Sequence, residues 1–190
     1  MTPSPGKESA MTSREHHGNR VTMSTMSTAR VGKAVEHLVA ASCILISNAE
    51  LNVSTSFVDD EGVDLVFHRR GGVATLAVQV KSRSSDASTL RNRRFRADVS
   101  RKTFSPRADL YVLFVVIDRA TAQFGPVWFV PSIDFAEKST IAAKTSLRFS
   151  ANSGQEARDR WVPFRMSFSE LPIAILKKLG TLEADRQPPQ

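Results

Sequence analysis

Two short runs with a two-residue hydrophobic period, set back to back around a Gly-Gly turn, constrain this chain more than any other stretch. Residues Val63 to Lys81 read VDLVFHRRGGVATLAVQVK. A period of two is a strand signature, and glycine readily takes the positive φ of a tight hairpin turn. The stretch therefore predicts an antiparallel hairpin over Val63–His68 and Ala74–Lys81, turning at Arg69–Arg70–Gly71–Gly72. Side chains alternate across a strand. Ala74, Leu76, Val78 and Val80 share one face, and Thr75, Ala77, Gln79 and Lys81 the other. In the first run Val63, Leu65 and Phe67 stand opposite Asp64, Val66 and His68. This phase brings Asp64, near the start of one strand, beside Gln79 and Lys81, near the end of its neighbour. A carboxylate, an amide oxygen and a lysine in one small space can hold a hard cation and orient a water.

A helical pattern precedes the hairpin. Val31, Val35, Leu38, Ser42 and Leu45 fall on a 3.6-residue stripe, and Thr28 can cap its start. Cys43 belongs to the buried side. Gly32 and Glu36 lie one turn apart on the flank of the stripe. A mid-helix glycine costs stability relative to alanine, so Gly32 predicts close packing against a neighbouring element. Glu36 then sits at the edge of the buried side and can complete the cluster around Asp64. A strand over Ser54–Val58 and an acidic turn, Asp59–Asp60–Glu61–Gly62, lead into the hairpin. Asp59 and Asp60 either supplement an ion site or merely solubilise the loop.

The helix glutamate, Asp64 and the Gln79-x-Lys81 pair, in that order, resemble the PD-(D/E)XK or restriction-endonuclease-like nuclease superfamily, in a Gln-x-Lys variant. The resemblance covers roughly Ala29 to Pro131. It implies an α/β fold, a restriction-endonuclease-like core with a central mixed β-sheet flanked by helices. It also implies a metal-dependent DNA endonuclease using Mg²⁺, with Mn²⁺ as a substitute. Within that resemblance Asp64 is the principal metal ligand, Gln79 replaces a second acid, and Lys81 stands near the attacking water. Glu36 approaches the metal from the helix, and the Val80 carbonyl helps to complete an oxygen shell. The chain departs from the family at Val63, where the motif has proline, and at Gln79, where an acid is commoner. The second departure removes a negative charge and keeps two alternatives open: a catalytically inactive DNA-binding protein, or a protein-interaction or immunity protein on the same scaffold.

Charge supports a nucleic-acid partner. The 190-residue chain carries a formal net charge of +7, and its sequence pI is about 10.1. Arg83, Arg91, Arg93, Arg94, Arg96, Arg101, Lys102 and Arg107 crowd the segment from Ser82 to Arg107, against only Asp86 and Asp98. The segment is expected to be an irregular helix or arm over Thr89–Lys102 that contacts phosphates, with Ser82 and Arg83 closest to the site. Phosphate contacts alone leave RNA open beside DNA. The resemblance also leaves a homodimer open, since many nucleases of this scaffold act on two strands as dimers.

The single cysteine excludes an intrachain disulfide and fits a reducing, cytoplasmic compartment. Leu110–Ile117 is too short to span a bilayer and reads instead as a central strand. A turn over Asp118–Pro126, a short strand Val127–Val130 and a helix over Ser132–Lys144 follow. Edge strands are expected at Leu147–Phe149 and Trp161–Phe164, and a terminal helix over Ser169–Gly180. Trp128 and Trp161 read as packing residues. Residues 1–27, which include His16 and His17, read as a disordered tail, 28–180 as one domain, and 181–190 as a flexible end.

Overall fold

The computed structural model describes residues 28–55, 62–154 and 156–186. His16, His17, Asp59 and Asp60 lie outside them, as does the end of the expected first strand. The hairpin forms where its periodicity predicts, with β2 over Leu65–Arg69 and β3 over Thr75–Ser84. Its register pairs Leu65 with Val78 and Phe67 with Leu76. Gly71 takes φ +77°, and the Gly72 N–H closes the turn on the Arg69 carbonyl at 2.9 Å. β1, over Leu51–Thr55, adds antiparallel to β2.

Helix α1, Thr28–Ile46, precedes these strands. Beyond β3 come α2 (Ser88–Arg91), β4 (Arg94–Ser100), β5 (Leu110–Asp118) and β6 (Gln123–Pro131). Then follow α3 (Ser132–Lys138), β7 (Thr140–Ala143), β8 (Ser146–Asn152), β9 (Arg165–Met166) and α4 (Leu171–Ala184). The main sheet runs β1-β2-β3-β5-β6-β9 and is mixed, because β3 and β5 are parallel while its other neighbours are antiparallel. Strand β5 is nearly all apolar because both its faces are covered. On one face α1 and α4 pack Val35, Val39, Leu171, Ile175 and Leu179 onto Leu65, Phe67, Leu76 and Val78. Each such side chain contributes ~1.5–3 kcal/mol by leaving water.

The other face is covered by a second, three-stranded sheet, β4-β8-β7, and by α3. Its centre is aromatic. Phe149 stacks on Phe114 at 3.7 Å between ring centroids, and Phe95 meets Phe114, Trp128 and Phe149 at 6.0, 5.3 and 5.8 Å. Trp128 and Trp161 are both buried in this cluster, as packing residues should be.

Several local expectations change. The basic segment is no helical arm: after the single turn of α2 it becomes strand β4, paired with β8. Its Phe95, Ala97 and Val99 alternate inward, and burial of those three outweighs the arginines between them. Strand β6 begins at Gln123, so the preceding turn is tighter, with Asp118 Oδ1 accepting from the N–H groups of Ala120 and Thr121. The helix after Pro131 stops at Lys138, where the β-branched Thr140–Ile141 begin β7. Val162–Phe164 is a 3₁₀ turn rather than a strand, since Pro163 cannot donate to a ladder, and β9 follows it. The terminal helix continues to Ala184 behind a Ser167/Glu170 capping box. Gly32 is not tightly packed: a Cβ there would meet no heavy atom within 4 Å.

Candidate metal centre and basic face

The site is built where the β2–β3 ladder ends. Asp64 stands one residue before β2, and its N–H donates to the Val78 carbonyl at 3.0 Å. Beyond that point Val80 has no backbone partner on β2, so its N–H donates to Asp64 Oδ2 at 2.6 Å. The carboxylate thus continues the ladder with a side chain. Groups on alternate residues of a strand point to the same side. The Val80 carbonyl therefore faces Asp64, as the Val78 carbonyl does.

Glu36 approaches from α1. Its side chain is only 13% exposed and accepts from Lys33 Nζ at 2.8 Å, one turn earlier. Glu36, Asp64, Val80 and Lys81 line one cleft of about 610 Å³, together with Lys33, His37, Ser82 and Arg83. Gly32 also lines it. A Cβ there would project into open space.

Gln79 is adjacent but different. It is 4% exposed and does not line the cleft. By strand phase it lies on the face that Asp64 and Lys81 share. Its Oε1 is fully enclosed without a hydrogen-bond partner among the described residues. An unsatisfied buried amide oxygen costs ~1–3 kcal/mol. Gly62, at φ +65°, is what lets the chain pass: a Cβ there would stand 2.9 Å from Gln79 Nε2 and 3.2 Å from Thr103 Oγ1.

Among the described residues no three His, Cys, Asp or Glu side chains come together as a metal site. The oxygens that line the cleft are mixed instead: the carboxylates of Asp64 and Glu36 and the backbone of Val80, with the buried Gln79 outside the lining. That chemistry fits a hard divalent cation such as Mg²⁺ or Mn²⁺, which prefers oxygen. The Lys33 ammonium, held on Glu36, is a protein cation at the same cleft.

The basic residues divide by position. Arg83 lines the cleft and is exposed. Arg94 and Arg96 project from the outward face of β4, while Arg91 and Arg93 precede that strand and Arg101 and Lys102 follow it, all exposed. Arg93 takes φ +53° at the turn into β4. Sequence reasoning missed Arg148, from β8, although SLRFSAN carries the same alternation as β4. Arg148 donates from Nε and Nη2 to the two Asp98 oxygens at 2.8 and 2.9 Å. These bonds hold the Asp98 carboxyl below its ordinary pKa, and the Arg83 charge adds to the effect. Lys33 and His37 were also missed; their one signal was position within a turn of Glu36.

No family model matches the sequence, and no curated protein does. The fold does have a solved counterpart. The structure of a bacterial homing endonuclease, I-Ssp6803I, aligns with a TM-score of 0.51 and 16% identity, covering 84% of this chain and 99% of that one. This likeness is one of fold: an α/β core with a central mixed sheet flanked by helices, of restriction-endonuclease-like architecture.

Proposed function

We propose, starting from this restriction-endonuclease-like fold, that the chain is a metal-dependent DNA endonuclease that hydrolyses phosphodiester bonds. The observation that carries the reading is the single cleft lined by Glu36, Asp64, Val80 and Lys81 with Arg83 at its rim. Asp64 and the Val80 carbonyl would hold Mg²⁺ or Mn²⁺, with Gln79 Oε1 and Glu36 completing or extending the oxygen set. Such an ion, when bound, polarises the phosphate and lowers the pKa of water. Asp64 is oriented for its task by the Val80 N–H, which donates to its Oδ2. Lys81, two residues beyond Gln79 on the same strand, orients the attacking water and offsets negative charge that grows on the phosphate. Ser82 and Arg83 hold the neighbouring phosphate, and the basic residues around β4 hold the duplex by charge.

The test is a cleavage panel with duplex, nicked, branched and single-stranded DNA, run with and without Mg²⁺ beside a Lys81→Ala protein. Metal-stimulated cutting by the wild type, abolished in Lys81→Ala, supports the reading. The burial of an uncharged Gln79 favours a second reading, a DNA-binding protein on the same scaffold that does not cut. DNA binding by a highly purified protein that leaves every substrate intact across a Mg²⁺ and Mn²⁺ titration would select it.

A further inference from the structure

We infer that the outward face of β4 and β8, centred on Arg94 and Arg96, is a base-reading surface that lies along a groove of duplex DNA. The inference deepens the DNA-acting reading above and rests on it.

An arginine-rich arm that only holds phosphate needs no rigid backing. Arg94 and Arg96 have one. Between and beyond them Phe95, Ala97 and Val99 point inward and are buried. Phe95 is wedged among Phe114, Trp128 and Phe149, the last contributed by the facing strand β8. The backbone carrying the two guanidinium groups is thus held from beneath by the aromatic core. Base readout requires such fixed carriers, because a planar fork must meet a base edge in one orientation.

The composition of the face points the same way. Across the β4–β8 ladder Arg96 faces Ser150, and Asp98 faces Arg148. A carboxylate amid a surface meant only for phosphates would be repulsive; here Arg148 neutralises it through two hydrogen bonds. The face is accordingly mixed, with hydrogen-bonding groups and a compensated charge at its centre. Asn152, opposite Arg94, is committed elsewhere, since its Oδ1 accepts from the Gly154 N–H.

Spacing completes the geometry. Alternate residues on a strand repeat about every 6.8 Å, which is about two base-pair steps. Arg94 and Arg96 can therefore each address a guanine two steps apart, through its O6 and N7 acceptors. Basic residues flank the strand at both ends, Arg91 and Arg93 before it and Arg101 and Lys102 after it. A straight strand leaves a winding groove at its ends, where those groups would meet phosphates.

The full chain is to be offered a pool of random-sequence duplexes without divalent metal, so that binding is read apart from cutting. The wild type is expected to enrich sites with guanine at two positions two steps apart. Arg94→Lys/Arg96→Lys keeps the charge but removes both forks. It should retain affinity for random duplex and its salt dependence, yet lose preference at those positions by about tenfold or more. Arg91→Ala/Arg93→Ala should weaken binding to all sequences and keep the preference. The inference is overturned if the wild type binds no duplex, if it enriches no sequence, or if the double lysine variant selects the same motif. Cleavage is assayed separately. Selection without cutting supports this inference and sinks the nuclease reading, whereas cutting without selection does the reverse.

Discussion

The Val80 N–H and Asp64 Oδ2 lie 2.6 Å apart, so the principal acid of the cleft is positioned by the backbone of the very strand that carries Gln79 and Lys81. The bond makes two substitutions at one position separable. Asp64→Asn keeps an oxygen that can accept from Val80 and removes the charge. It should abolish metal-stimulated cleavage with a stability change of about 1 kcal/mol or less. Asp64→Ala should also abolish cleavage, but leaves the Val80 N–H without its acceptor and should cost roughly 1–3 kcal/mol. Urea unfolding beside a Mg²⁺ titration of cutting measures both. An Asp64→Asn protein that cuts like the wild type would remove Asp64 from the chemistry.

Lys33 makes a different demand. Its ammonium holds Glu36 at 2.8 Å within the same cleft, so a divalent ion approaching Glu36 meets a resident positive charge. Lys33→Gln should raise Mg²⁺ affinity several-fold in the absence of DNA, an electrostatic gain on the order of 1 kcal/mol. Calorimetric titration of the free protein reads this directly. Unchanged affinity would mean that Glu36 and Lys33 stand apart from the ion.

Gln79 can be tested through stability alone. Burying a carboxylate without a counter-ion is costly, and a bound cation offsets that cost. Gln79→Glu should therefore melt lower than the wild type in EDTA and regain more stability than the wild type when Mg²⁺ is added. A Gln79→Glu protein whose melting temperature ignores Mg²⁺ would place position 79 outside the metal shell.

The aromatic layer should behave as the support of the second sheet. Phe149 is fully buried, stacked on Phe114 and in contact with Phe95, Trp128 and Trp161. Phe149→Ala should cost about 3–5 kcal/mol and weaken sequence-selective DNA binding along with the fold. Phe149→Leu, which keeps most of the volume, should recover much of both. Denaturant midpoints and duplex binding, taken on the same preparations, check the coupling.

The hairpin was legible because its two signals agree: Leu65 and Phe67 share one face in a two-residue period, and Gly71 supplies the left-handed turn. The phase of Asp64 against Gln79 and Lys81 followed from that register. Strand β4 was hidden in plain composition. The arginines at 94 and 96 dominate the eye, whereas Phe95, Ala97 and Val99 decide the structure by burial. Gly32 was misread because a helical glycine signals either close packing or vacant space, and only the fold tells which. The burial of Gln79 was beyond the sequence altogether. It depends in part on Gly62, where an added Cβ would stand 2.9 Å from the Gln79 amide nitrogen.

Strand β4 waits a long time for its partner. The Asp98–Arg148 pair that joins it to β8 spans 50 residues of chain, and the crossover from β3 to β5 must be made while β4 still lacks a neighbour. On the ribosome, the inward side of β4 and the aromatic face of β5 and β6 emerge well before β8 can cover them. A nascent chain halted near Lys144 would therefore present Phe95, Phe114 and Trp128 beside an open strand edge, a combination that invites aggregation.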